Sequence, residues 1–283
     1  MIIDFHTHIF PRRFRDNRAH LFPGEPAFEI LYSSSRATLA GVDDLIRNMD
    51  MEGIGKSVIF GFPWEDEDHY HRHNDYIIES VHRYPDRLIG FCCFSAMSSG
   101  GTKEAERCLD LGIAGVGELA VYEAGLTSEV CDALTDVMSL CSQSDVPVLL
   151  HVNEPVGHDY PGKTPITLRQ IYAFLKTYPL NRIVLAHWGG GLFFYALMKK
   201  EVKEVLKKVW FDTAASPYLY TPDTYRIAGE IIGFDRILFG SDYPLLKPHR
   251  YFKEMATAGL SPDAIDQVGG SNAARLLGLS DDP

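Results

Sequence analysis

Hydrophobic and polar positions follow two alternating rhythms along this chain. Short runs rich in β-branched and aromatic residues fall at 2–6, 57–61, 88–94, 113–119, 147–152, 182–187, 209–213 and 236–241. Each predicts a strand and is followed by a stretch with helical periodicity. Pro147-Val148-Leu149-Leu150 and Arg182-Ile183-Val184-Leu185-Ala186 are nearly continuous apolar runs, as expected of strands covered on both faces of a parallel sheet. Between them Val42, Leu45, Ile46 and Met49 form a helical stripe ended by Gly53, and Leu168, Ile171, Tyr172 and Leu175 form another. Ser261-Pro262 supplies an N-cap and first-turn proline for a late helix, and Asn272 a cap for the last one. Eight strand–helix units predict a (β/α)8 TIM barrel, a single domain over residues 1–283, with an open doubly wound sheet as the alternative.

One connection breaks the rhythm. Residues 9–40 separate the first strand from its helix, far beyond the usual two to six residues. The stretch carries Arg12, Arg13, Arg15, Arg18 and Arg36 with Phe10, Phe14, Phe22 and Phe28. In a barrel it leaves the C-terminal end of the first strand, so it is expected to cover the active-site face; the plainer reading is a surface excursion with solvated arginines.

Composition narrows the class. Among 283 residues, 46% are apolar and 23% charged, which suits one large globular core and excludes disordered and fibrous chains. No apolar run approaches the roughly 18 residues needed to span a bilayer, and the start of the chain has no basic secretory n-region. The 27 Lys plus Arg against 38 Asp plus Glu give a net charge of −11, which argues against a broad nucleic-acid surface. Five cysteines without a C-x-x-C pair fit a reducing compartment. A soluble cytoplasmic protein acting on a small molecule is expected.

Chemistry gathers where barrel strands end. The first strand closes on His6-Thr7-His8, the fourth on Gly117-Glu118, the fifth on His151, the sixth on His187 and the eighth on Ser241-Asp242. Residues two apart share a face, so His6 and His8 both project toward the barrel axis. Two carboxylates facing one another in a partly desolvated mouth need a cation, and four imidazoles beside them suit a divalent ion such as Zn²⁺.

Ile3-Asp4-Phe5-His6-Thr7-His8, Ala186-His187-Trp188-Gly189-Gly190-Gly191 and Phe239-Gly240-Ser241-Asp242-Tyr243-Pro244 resemble the amidohydrolase superfamily, and more closely its amidohydrolase-2 branch, which includes decarboxylases. Trp210-Phe211-Asp212-Thr213 and Asn272-Ala273-Ala274-Arg275-Leu276-Leu277 look typical of the same branch. The resemblance implies metal ligation by His6, His8 and Asp242, a strand-five ligand at His151, and His187 as either a catalytic base or a ligand of a second ion. Glu118 departs from the mononuclear decarboxylases; its setting is similar to the TatD-type metal-dependent hydrolases, in which a strand-four glutamate bridges two ions. One or two ions are expected, and a homodimer fits the branch.

The leading expectation is hydrolysis of a small ester, amide or lactone by metal-activated water, with Asp242 taking its proton and His187 orienting or polarising the scissile bond. The alternative is a non-oxidative decarboxylase or hydratase of an unsaturated or aromatic carboxylic acid. There His187 manages the proton, and Arg12 or Arg13 clamps a substrate carboxylate. A metal-stabilised binding protein is a third reading. Trp188 is taken as a substrate-side residue, although Trp188, Trp64 and Tyr218 read equally well as packing of the rim. His69, His71 and His73 read as a solvated helix end rather than a metal box, since only 69 and 73 share a face. Asp212 reads as a structural hydrogen-bond partner, and Gly189-Gly190-Gly191 either as amides presented to an anion at a helix N-terminus or, by the preferred reading, as room for the backbone to pass close to the metal site.

Overall fold

A computed structural model describes residues 1–279, so the last four residues of the expected domain lie outside it. Eight strands run β1 (Ile3–His8), β2 (Lys56–Phe60), β3 (Leu88–Cys92), β4 (Gly115–Leu119), β5 (Val148–Leu150), β6 (Ile183–Leu185), β7 (Val209–Asp212) and β8 (Ile237–Leu238). They pair in sequence order, every ladder parallel, into the (β/α)8 barrel. Several strands are shorter than their apolar runs. Where β5 stops at Leu150 the chain stays in line, because the His151 N–H still donates to the Leu119 carbonyl at 2.8 Å. The seam between β8 and β1 is closed past the short β8 by Phe5 N–H to Phe239 O at 2.8 Å, Asp242 N–H to His6 O at 2.9 Å and His8 N–H to Tyr243 O at 2.8 Å.

A cluster drawn mainly from the strands (Phe5, Val58, Phe60, Phe91, Leu149 and Val184 among them) fills the barrel. Ala273, Ala274 and Leu276 pack against it at the N-terminal end of the strands, where the Arg182 guanidinium donates to the Leu276 carbonyl. The helices bury their stripes on the outside. In the helix Val42–Glu52, Val42, Leu45 and Met49 are buried, and Gly53 ends it in the left-handed conformation (φ 70°).

The long connection is not an open loop. It contains helices Arg12–Asp16 and Pro26–Tyr32 joined by a 3₁₀ turn at Arg18–Leu21. Phe10, Phe14 and Phe28 are buried against Phe62, Trp64 and His73; at about 2 kcal/mol for each buried phenyl this anchors the segment on the barrel. Near its far end Leu31, Tyr32, Arg36, Ala37 and Thr38 line the cavity at the barrel mouth. No described helix is long and apolar enough to cross a membrane.

Candidate active site

Two strands bend to present their side chains. Against β2, β1 holds one extra residue between Asp4 and Thr7, and against β5, β4 holds one extra residue between Val116 and Leu119. Such bulges re-aim side chains at barrel rims. The first sits beside His6, the second beside Glu118. Gly117 makes the second one feasible: its φ of 134° is strained for any other residue, and a Cβ there would run into the Leu149 carbonyl. The chain leaving β6 is bent as well, with His187 and Trp188 at φ 52° and 60° and the next three glycines also left-handed. A Cβ on Gly190 would meet the Asn153 carbonyl, so it is close approach to the Asn153 backbone, and not to the metal site, that requires a glycine there.

Three imidazoles share one arrangement. His6 Nδ1 lies 2.8 Å from Asp212 Oδ2, His8 Nδ1 3.2 Å from the Gly61 carbonyl and His187 Nδ1 3.0 Å from the Ala214 carbonyl. These oxygens only accept, so each Nδ1 carries a proton and each Nε2 faces inward, where it can offer its lone pair to a bound cation. Asp212 also accepts the backbone N–H groups of His187 at 2.9 Å and Ala214 at 3.0 Å, the partner role read from the sequence. Asp242 Oδ1 lies 3.6 Å from His6 Nε2 and 3.5 Å from His8 Nε2; Glu118 Oε2 lies 3.7 Å from both. Glu118 Oε1 is 3.6 Å from His187 Nε2.

His151 differs. Its Nδ1 faces Glu118 Oε1 at 2.9 Å and its Nε2 the Gly162 carbonyl at 3.0 Å, so both nitrogens are engaged by acceptors.

The electrostatics call for positive charge at the centre. Burial opposes protonation of His6, but the carboxylates of Asp212 and Glu118 outweigh it and lift its pKa to about 10. Burial would raise Glu118, yet the charges of His151 and His6 hold it well below the usual range. Asp242 is likewise held down at about 2, burial being overcome by the His8 hydrogen bond and the charges of His6 and His187. His6 Nε2 is buried without any hydrogen-bond partner, which is costly for a polar atom unless something else satisfies it. A divalent cation fits that atom and this donor set. Ligating atoms lie within 4.8 Å of one another in three overlapping groups: His6–His8–Glu118, His6–His187–Asp242 and Glu118–His151–His187.

The centre forms the floor of a cavity of about 860 Å³ walled by Tyr32, Phe62, Tyr122, Tyr160 and Tyr218, with Arg36 and His158 also lining it. Three residues read as substrate contacts lie elsewhere. Arg12 is 86% exposed and bonded to Asp16, and Arg13 is exposed on the same short helix, whose only buried residue is Phe14. Trp188 is buried against Tyr225 and Phe193, its indole N–H bonded to Ser216, because the left-handed backbone at 187–188 turns the ring into the outer layer. Arg36, one of five arginines on an aperiodic segment, carried no signal setting it apart. Among the described residues, His69, His71 and His73 join no group that could hold a metal ion. His69 faces Glu25, His71 faces Glu104, and His73 is fully buried rather than solvated, bonded to Trp64 and the Ile9 carbonyl.

This barrel, with histidines and carboxylates at the ends of its strands, defines an enzyme of the amidohydrolase superfamily: a family model described as Amidohydrolase matches residues 3–279, and the chain belongs to that family. A curated relative, the gamma-resorcylate decarboxylase of Rhizobium radiobacter, is 27% identical over 248 residues, 74% of this chain and 75% of that protein. The solved 5-carboxyvanillate decarboxylase from Sphingomonas paucimobilis has the same fold, with a TM-score of 0.78 at 16% identity over 99% of both chains. So does the dihydroxybenzoic acid decarboxylase from Polaromonas sp. JS666, solved with bound manganese and the inhibitor 2-nitroresorcinol, with a TM-score of 0.69 at 20% identity over 98% of this chain and 97% of that one. These relatives overturn the expectation of ester, amide or lactone hydrolysis, since all three are decarboxylases of aromatic acids. Spacing of strand-end ligands could not make that distinction, because the same cluster serves either reaction.

Proposed function

We propose that the protein is a metal-dependent, non-oxidative decarboxylase of hydroxylated aromatic carboxylic acids. The observation that carries this reading is three inward Nε2 atoms and two carboxylates on the floor of an aromatic-walled cavity with a guanidinium among its lining residues. His6, His8 and Asp242, with Glu118, would hold one ion. His151 is left out because protein acceptors engage both its nitrogens. Bound there, a divalent ion supplies a positive charge for the substrate carboxylate or a neighbouring phenolate. Zn²⁺ suits the imidazoles, but two carboxylates also suit a harder ion, and Mn²⁺, found with the Polaromonas enzyme, is the first to test.

The residues divide the remaining work. Tyr32, Phe62 and Tyr122 hold the ring away from water, and Arg36 pairs with a second acidic substituent. Burial disfavours a charge on His187, but Glu118 and Asp242 raise its pKa. With Nδ1 tied to Ala214, its proton is presented at Nε2. As the bond to the carboxylate breaks and CO2 departs, the electron pair left on the ring carbon takes that proton; solvent restores it to His187. The described residues serve this one site as a single domain, the connection of residues 9–40 supplying one wall.

The test is Mn²⁺-loaded protein with 2,6-dihydroxybenzoate and 5-carboxyvanillate, following CO2 release and the ring product. Stoichiometric CO2 and arene are expected, with His187→Asn keeping its ion and losing about 10² or more in turnover. Ion-loaded protein that releases no CO2 from either acid refutes the proposal.

A further inference from the structure

Asp4 belongs to no ligand group at the centre, yet it is 2% exposed and forms no ion pair among the described residues. Its oxygens are spent on three donors. Oδ1 accepts the backbone N–H of His6 at 3.3 Å and of Ser241 at 2.8 Å, and Oδ2 accepts the Ser241 hydroxyl at 2.5 Å. Ser241 is held at its other polar atoms too: its Oγ accepts the Tyr243 N–H at 3.1 Å and its carbonyl accepts the Tyr251 hydroxyl at 2.6 Å. The next residue is Asp242, at φ 60°. A non-glycine residue in that region costs on the order of 1 kcal/mol and persists only where its surroundings impose it. On the C-terminal side the Asp242 carbonyl accepts the Leu245 N–H at 2.8 Å; the restraint on the N-terminal side comes from the seam between the first strand and the end of the last.

We infer that Asp4, acting through Ser241, is a positioning residue for the centre: it fixes the backbone of His6 and holds Asp242 in the left-handed conformation that brings its Oδ1 to 3.6 Å from His6 Nε2 and 3.5 Å from His8 Nε2. The inference rests on the ligand set proposed above. Asp212 holds the same centre from the other side, through His6 Nδ1 and the His187 amide; Asp4 holds the His6 amide and the segment leading into Asp242. An asparagine at position 4 keeps one oxygen for the two backbone donors and turns an N–H toward the Ser241 hydroxyl, which can accept it. An alanine loses all three bonds.

The experiment titrates Mn²⁺ into the full-length protein and its Asp4→Ala, Asp4→Asn and Ser241→Ala variants. Calorimetry gives the affinity, the Mn²⁺ electron paramagnetic resonance spectrum gives the symmetry of the site, and crystal structures give the Asp242 backbone. Asp4→Ala is expected to bind Mn²⁺ about 10- to 100-fold more weakly with an altered spectrum, Ser241→Ala to fall between, and Asp4→Asn to recover most of the wild-type behaviour. A residue that merely closed the seam would lower the melting temperature and leave affinity and spectrum alone, and that result overturns the inference. Should Asp4→Ala fail to fold, Ser241→Ala carries the same comparison. If the wild-type protein takes up no Mn²⁺, the ligand set fails separately. The crystal structure of Ser241→Ala then decides: Asp242 relaxing out of the left-handed region supports the inference, and an unchanged Asp242 refutes it.

Discussion

At the scale of single residues, the candidate site depends on positions that carry no chemistry of their own. Gly117 is the sharpest case, since both its φ of 134° and the Leu149 carbonyl beside it refuse a Cβ. Gly117→Ala is therefore expected to destabilise the fold by roughly 2 kcal/mol or more and to abolish Mn²⁺ uptake by turning Glu118 away. Denaturant unfolding together with calorimetry checks both; a variant that binds Mn²⁺ like the wild type shows that the bulge is not what aims Glu118. Arg36 offers the complementary test. Its guanidinium is exposed, lines the cavity and makes no ion pair among the described residues, whereas Arg12 is tied to Asp16 outside it. Arg36→Ala should raise KM for a hydroxybenzoate about tenfold or more with little change in kcat, and Arg12→Ala should change neither. Equal effects of the two substitutions would remove Arg36 from the binding site.

At the scale of elements, the helix Glu67–Arg83 links the wall segment to the barrel through one buried histidine. Desolvation drives the pKa of His73 down to about 4, the Ile9 carbonyl bond only partly opposing it, so the folded protein keeps the ring neutral. Unfolding frees it to protonate near 6.5. The unfolded state thus binds the extra proton between those values, and the contribution is complete above pH 6.5 and drains away as pH falls toward 4. The shift corresponds to about 3 kcal/mol. His73→Gln should flatten that part of the stability profile, so the gap between variant and wild type measured by urea unfolding should change between pH 7 and 4.5; parallel curves would contradict it. What the sequence made legible divides along the same line. Strand-end chemistry was readable because period-two alternation points His6 and His8 one way whatever surrounds them. The bulges in β1 and β4 were not, because each is a mismatch of register with a neighbouring strand, and one strand's sequence does not encode it. His73 read as solvated because its helix begins in charged residues; its burial comes from Phe10, Phe14 and Trp64, supplied by other segments.

At the scale of the whole molecule, the proposed ligands stand on β1, β4 and the segment after β8, so a bound cation ties the seam to the far side of the barrel. A ligand that binds only the native state stabilises it by mass action, about 4 kcal/mol at a thousandfold excess over its Kd. For a chain of this size that amounts to on the order of 10 °C in Tm. Chelation should lower Tm by that much and Mn²⁺ should restore it, while His6→Ala should melt at the same temperature with or without the ion. Without a cation, protons on the imidazoles must balance Glu118 and Asp242; burial of His6 and His187 resists those protons even as the carboxylates draw them in. The ion replaces that contest with direct ligation of an otherwise unpartnered His6 Nε2. A wild-type Tm indifferent to Mn²⁺ up to millimolar concentrations would mean that the convergence of these side chains is a structural ion-pair network, and the proposed chemistry would lose its foundation.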